Sequence, residues 1–261
     1  VMGVINMTPD SFFSGSKYSQ EKAVLTTVEE MVEAGAAIID IGGMSSRPGA
    51  EIVSTEEEWQ RVKGAIHAIA KTFPSLPLSI DTLHAEVAKQ SVESGATIIN
   101  DISGGQYDRA IWSVAAHYHT PYIMMHMQGK PSTMQQAPTY ADVVVEVFDF
   151  FRDQVQAARK EGVGDIVIDP GFGFGKSLQH NYQLLMHLPV FAQLDVPILA
   201  GVSRKSMINK VLGTSPETAL NGTTVLHTLA LERGAHILRV HDVKEAYQAI
   251  QLVTFAQSQQ T

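Results

Sequence analysis

Short, continuously apolar runs alternate with longer amphipathic stretches along the whole chain. The runs are VMGVIN (1–6), AAIIDIG (36–42), LPLSID (76–81), ATIIND (96–101), PYIMMH (121–126), DIVID (165–169), VPILAG (196–201) and AHILRVH (235–241). Unbroken apolar runs of this length mark parallel strands covered on both faces. Helical patterns fill the gaps, among them 19–36, 54–73 and 84–96. Ser19 and Ser54 stand where helix caps are needed, and Ser54 with Glu57 has the spacing of a capping box. A Gly-Ala dipeptide opens the second, fourth and eighth runs, at Gly35, Gly95 and Gly234, a recurrent structural unit. Eight strand–helix units predict an α/β fold, a (β/α)8 TIM barrel; a doubly wound open sheet is the alternative.

Length agrees with a barrel. The chain has 261 residues, close to the roughly 250 such a barrel takes, so 1–261 is expected to form a single domain. Hydrophobic residues make up 44%, enough for a core that needs no staple. The absence of cysteine excludes a thiol nucleophile, a disulfide framework and a thiolate zinc site. A net charge of −8 argues against a broad nucleic-acid surface. No apolar run has the length of a membrane span, and a cytoplasmic location is expected. Val1 lies inside an apolar run, so the natural chain is expected to start earlier.

A barrel gathers its chemistry at the C-terminal strand ends. Those ends are Asn6, Asp40, Asp81, Asn100 with Asp101, His126, Asp169, Ser203 with Arg204 and Lys205, and Arg239 with His241. Any one of them could be a turn former, but all are polar. Asp40, Asp81, Asn100 and Asp169 offer acceptors to a flat heterocycle edge that carries two N–H donors. Lys205 can donate to a ring carbonyl. Arg239 and His241, two apart, share a strand face and with Asn6 suit a phosphate or diphosphate. An ion pair of Arg239 with Asp242 or another neighbour is the bland alternative, and His126 reads as a packed loop histidine.

The segment IVIDPGFGFGKS (166–177) resembles a phosphate loop but misses both common patterns by one residue: Pro170 and Lys176 stand where glycines belong. Lys176 either serves this loop or is simply solvated, with solvation slightly favoured. Long loops rich in glycine, proline and hydroxyls follow the first, second and fifth strands, at 6–16, 42–50 and 126–135, and such loops at a barrel mouth often act as lids.

The ordered motifs MGVINMTPDSF, IDIGGMSSRPGA, LSIDT, IINDISGG, MHMQGKPSTMQ, IDPGFGFGK, LAGVSRKSMI, NGTT and RVHDVKEA together resemble the dihydropteroate synthase family. The resemblance runs from the first residue to about Ile250 and is of the bacterial type. It implies a TIM barrel, usually a homodimer. It also implies that p-aminobenzoate is joined to the methylene carbon of 6-hydroxymethyl-7,8-dihydropterin diphosphate, with Mg2+ accompanying the diphosphate. Pyrophosphate leaves by a dissociative path, and 7,8-dihydropteroate forms as a step in folate synthesis. By resemblance, Asp81, Asn100, Asp169 and Lys205 hold the pterin, Asp40 supports the same floor and Met124 packs on the ring. Asn6, Arg239 and His241 match the diphosphate and metal-linked site, with Arg47 reaching the diphosphate. Phe12, Ser46, Arg47, Pro48 and Ser206 match the p-aminobenzoate site. Asp81, Lys205, Arg239 and His241 are the implied catalytic group, and sulfonamide sensitivity is implied.

Two loops depart from the family pattern. Met44 replaces a glutamate and Ser46 a threonine in the second loop, and SFFSGS lacks an acidic residue and a glycine in the first. These differences keep open a paralogue that binds pterin without turnover. A pterin-binding methyltransferase and a Schiff-base aldolase using Lys205 are further alternatives, disfavoured by the Ser-Arg-Pro loop and by the strand-end aspartates respectively.

Overall fold

The computed structural model describes residues 1–8, 17–45, 49–129, 134 and 138–259. Eight strands appear at the expected places: β1 Met2–Asn6, β2 Ile38–Gly42, β3 Leu78–Asp81, β4 Ile98–Asp101, β5 Tyr122–Met125, β6 Ile166–Asp169, β7 Leu199–Ala200 and β8 Ile237–Val240. They pair in parallel in the order β6-β5-β4-β3-β2-β1-β8-β7. A parallel bridge from Ile168 to Ile198, just ahead of β7, brings the two ends of the sheet together. The fold is the expected TIM barrel, nearly closed, and the open-sheet alternative is set aside.

The described helices are α1 Lys17–Glu33, α2 Thr55–Thr72, α3 Ala85–Glu93, α4 Ala110–Tyr118, α5 Val143–Lys160, α6 Leu178–Met186, α7 Ser206–Leu212, α8 Leu220–Glu232 and α9 Val243–Ser258. Ser54 caps α2 as expected, accepting from Glu57 N at 3.2 Å. The carboxylate of Glu57 takes Arg61 instead, at 2.5 Å, because a guanidinium one turn on is the stronger partner. Gly35 has φ +104°, and a Cβ there would sit 2.5 Å from the Tyr247 ring of α9. A bare, left-handed residue is therefore needed where α1 turns into β2.

Strand parity builds the site. Ile39, Ile41, Ile80, Ile99, Ile168, Leu238 and Val240 face outward into the main core beneath the helices. The opposite parity faces the axis. Its lower layer is apolar: Met2, Ile123 and Leu199, with Ile38, Ile98, Val167 and Ile237 around them. Two residues further along the same faces stand Asp40, Asn100, Met125, Asp169, Gly201 and Arg239. The barrel is thus an apolar plug capped by a polar floor. Above it lies a third cluster of Met44, Leu83, Ile102, Met125, Met127, Met134 and Phe174 at the mouth.

Candidate active site

A cavity with about 410 Å³ of empty space, part of it open to solvent, occupies the mouth; its polar lining includes Asn100, Asp169, Ser203, Lys205, Arg239 and His241. Asp169 is fastened by one oxygen: its Oδ1 accepts from Gly171 N at 2.8 Å. Its other oxygen is left for the cavity. Asn100 commits its amide nitrogen to Asp40 Oδ2 at 3.1 Å, which leaves its carbonyl oxygen as an acceptor. Lys205 donates to Phe172 O at 2.8 Å and rests 4.1 Å from the centre of the Phe174 ring. Burial lowers its pKa to about 8; Asp169 opposes that shift and Arg239 adds to it.

Arg239 binds two carboxylates at once. Its Nε donates to Asp40 Oδ2 at 2.7 Å and its Nη2 to Asp81 Oδ2 at 2.7 Å. Burial alone would lower its pKa, but Asp40 and Asp81 more than offset this and raise it further. Asp81 moves the other way: burial pushes its carboxyl up to about 7 although Arg239 pulls it down, and the charges of Asp40 and Glu58 add to the rise. Glu58 is itself buried and paired with His84 at 2.7 Å.

His241 lies beside this group with its Nδ1 at 3.1 Å from Ser203 Oγ, and burial followed by the charge of Arg239 lowers its pKa. Arg204, between Ser203 and Lys205, adopts the left-handed φ of 53°. Its guanidinium grips both oxygens of Asp242, at 2.8 and 2.6 Å, tying the loop after β7 to the loop after β8. The bland partner foreseen for Arg239 therefore belongs to Arg204, while Arg239 turns inward with the parity of β8.

Two placements differ from expectation. Met124, expected against a ring, lies in the outer core, and Met125 lines the cavity, because neighbouring residues of a strand face opposite ways. Lys176 is not solvated: it is buried, with its ammonium 2.9 Å from His126 Nδ1 and 3.0 Å from both Gly171 O and Phe174 O. Asp101 is a structural pin, accepting from Ser103 N and Oγ, Gly105 N and Tyr122 OH. His126 is a buried loop histidine as read. Asn6 closes β1 opposite Gly42, and Ser206 opens α7 at the surface. Phe12, Ser46, Arg47 and Pro48 lie outside the described residues. Phe172 and Phe174 were missed in the sequence because their contacts with Lys205 span about thirty positions and leave no local signal in GFGFG. Ser203 was also missed as a partner of His241, a contact between two loops with no local signal.

Among the described residues no group of three or more His, Asp or Glu side chains could hold a metal ion, and no helix is long and apolar enough to cross a membrane.

The parallel barrel raises carboxylates, an amide and a lysine around an open pocket at its mouth. The sequence model of the pterin binding enzymes matches residues 2–241, and the chain belongs to that family. It is 45% identical over 255 residues to the dihydropteroate synthase of Escherichia coli (strain K12), covering 97% of this chain and 90% of the relative. The Synechocystis dihydropteroate synthase is 44% identical over 247 residues, covering 94% of this chain and 85% of that one. The crystal structure of the Yersinia pestis dihydropteroate synthase with a sulfonamide drug superimposes with a TM-score of 0.92 at 41% identity, covering 98% of this chain and 94% of the other. The Xanthomonas albilineans enzyme in complex with 7,8-dihydropteroate gives 0.87 at 39%, covering 98% and 92%.

Proposed function

We infer that the protein is a dihydropteroate synthase, a transferase of folate biosynthesis. It condenses 6-hydroxymethyl-7,8-dihydropterin diphosphate with p-aminobenzoate and releases pyrophosphate. The observation that carries this reading is the set of groups facing one cavity, namely one free oxygen of Asp169, the Asn100 carbonyl and the Lys205 ammonium, which spends one donor on Phe172 O and keeps the others. In the proposed complex Asp169 and Asn100 accept from the N–H edge of the pterin and Lys205 donates to its ring carbonyl. Met125, rather than Met124, packs beside the ring. Arg239 and His241 meet the diphosphate with Asn6, and Ser206, Phe12, Ser46, Arg47 and Pro48 complete the aminobenzoate side.

The amine of p-aminobenzoate is neutral at pH 7, so no strong base is required. The barrier lies in breaking the methylene C–O bond. As that bond breaks, negative charge grows on the diphosphate beside Arg239, and positive charge spreads into the dihydropterin above Asp81. The amine then forms the C–N bond and loses a proton. Arg239 starts with both carboxylates as partners, so it is already oriented when the diphosphate arrives, and Asp81 is left to face the cationic ring.

In the proposed complex Mg2+ would be carried mainly by diphosphate oxygens, with one more oxygen from Asn6. Bound there, Mg2+ would neutralise the charge of the leaving group. A homodimer is supported by exposed apolar side chains on adjacent helices: Val211 and Leu212 of α7, Val225 of α8, and Leu252 and Phe255 of α9.

The test is to follow pyrophosphate and dihydropteroate together with both substrates and Mg2+. Equimolar formation is the expected result. Pterin binding without either product would instead favour a non-catalytic pterin binder. Met44 is the observation behind that second reading, because it packs in the apolar mouth cluster where the family pattern has a glutamate.

A further inference from the structure

The function above leaves Lys176 unused, yet among the described residues it is the one lysine that is buried. It is 3% exposed, and among the described residues no carboxylate bonds it. Its ammonium instead sits among four acceptors: His126 Nδ1 at 2.9 Å, Gly171 O and Phe174 O at 3.0 Å, and His126 O at 3.2 Å. Burying a lysine without a direct ion pair is costly, and here burial lowers its pKa to about 7 although the charge of Asp169 opposes the shift. Such a group persists only where its hydrogen bonds are worth the cost.

Those bonds join two loops. His126 begins the loop after β5, and Gly171 and Phe174 belong to the loop after β6. The backbones touch closely: a Cβ on Gly171 would lie 2.0 Å from His126 O, and one on Gly175 would lie 2.4 Å from Gln128 O. Gly171, Gly173 and Gly175 have φ of +70°, +84° and +62°, so the chain between them turns its carbonyls inward as few L-residues allow. Tyr140 OH holds Gly175 O at 2.9 Å, and Asn181 Oδ1 accepts from Gly173 N at 2.6 Å.

The same short loop has a second ammonium on its other side. Lys205 takes Phe172 O and the face of Phe174. Carbonyls 171 and 174 go to Lys176, while carbonyl 172 and ring 174 go to Lys205. The loop is therefore clamped between two lysines, and only Lys205 lines the cavity.

We propose that Lys176 is a positioning residue for the pterin pocket, holding the loop after β6 in the shape that sets the Phe172 carbonyl and the Phe174 ring against Lys205. The proposal rests on the pterin reading of the cavity. It assigns Lys176 no contact with substrate.

The experiment compares wild type with Lys176→Met, which keeps a similar length and removes the donors. Each is titrated with a pterin lacking the diphosphate, and steady-state constants are taken for both substrates. Pterin affinity and the KM for dihydropterin diphosphate should weaken on the order of tenfold, as for loss of a charged hydrogen bond, while the KM for p-aminobenzoate stays within about twofold. Phe174→Leu should cost pterin affinity alone but add little on top of Lys176→Met, because the two act through one contact. If Lys176→Met does not fold, His126→Phe removes one acceptor and must shift pterin affinity in the same direction by less. Unchanged pterin affinity in a folded variant, additive losses with Phe174→Leu, or equal losses for both substrates would each overturn the proposal. Wild type that binds no pterin would overturn the functional reading itself, and the proposal with it.

Discussion

Asp81 keeps its proton longer than an ordinary carboxyl does. Burial outweighs the attraction of Arg239, and the carboxyl titrates near 7 in place of 3.8. Between those values the folded chain holds a proton that the unfolded chain has lost. The group therefore contributes stability below about pH 4 that disappears as pH rises toward 7. Asp81→Asn removes this dependence. Denaturant unfolding of the ligand-free protein across pH 4 to 7 should show stability falling less steeply with pH in the variant than in wild type. An identical slope would place the proton elsewhere in the cluster. Asp169 makes a different prediction. Its free oxygen is the expected partner of the pterin N–H edge, and exchanging carboxylate for amide replaces an acceptor by a donor or weakens it. Asp169→Asn should raise the pterin Kd by at least about tenfold and leave the aminobenzoate KM nearly unchanged, as read by calorimetry beside steady-state kinetics. Unchanged pterin affinity would remove Asp169 from the pocket.

At the scale of elements, the glycine hinges decide how closely helices approach strands. Gly35 ends α1 with φ +104° directly under the Tyr247 ring of α9. An alanine there would have both the wrong backbone basin and a methyl inside the ring. Gly35→Ala should therefore destabilise the fold by more than about 1 kcal/mol, seen as a lower Tm, with the KM values of the surviving folded enzyme unaltered because the hinge lies at the opposite end of the barrel from the cavity. The loops at the mouth are held by longer ties. The Arg204–Asp242 pair joins the loops after β7 and β8, and the carbonyl set around Lys176 joins those after β5 and β6. Each tie holds a pocket wall that no strand reaches.

On the scale of the whole molecule, the helices after β7 and β8 carry the most exposed of the large apolar side chains. Leu252 and Phe255 are 72% and 69% exposed, beside Val211, Leu212 and Val225. A patch of this kind is costly to leave in water and is readily covered by a second copy. Replacing Leu252 and Phe255 together with arginine should turn a dimer into a monomer in sedimentation without disturbing the pterin pocket, which opens at the barrel mouth. A wild type that sediments as a monomer at micromolar concentration would overturn the dimer.

Much of this molecule was legible along the chain. Eight apolar runs and the polar residue closing each one sufficed for a barrel and for a site at its mouth, because both depend on local spacing. Strand period and burial act over a few residues, and the sequence records them directly. The partners of the charged groups were not legible. Arg239 meets Asp40 and Asp81 across 199 and 158 positions, a contact that exists only once the ring closes. Closure also decided which parity faces the axis, and so exchanged Met125 for Met124. The choice between a loop-serving and a solvated Lys176 was open along the chain for the same reason. A lone lysine after a glycine run is solvated by composition, and it becomes a buried clamp only when two loops fold their carbonyls around it. Local pattern determined the elements and the kind of chemistry; long-range packing decided which charge holds which, since burial and electrostatic pairing are properties of the closed barrel alone.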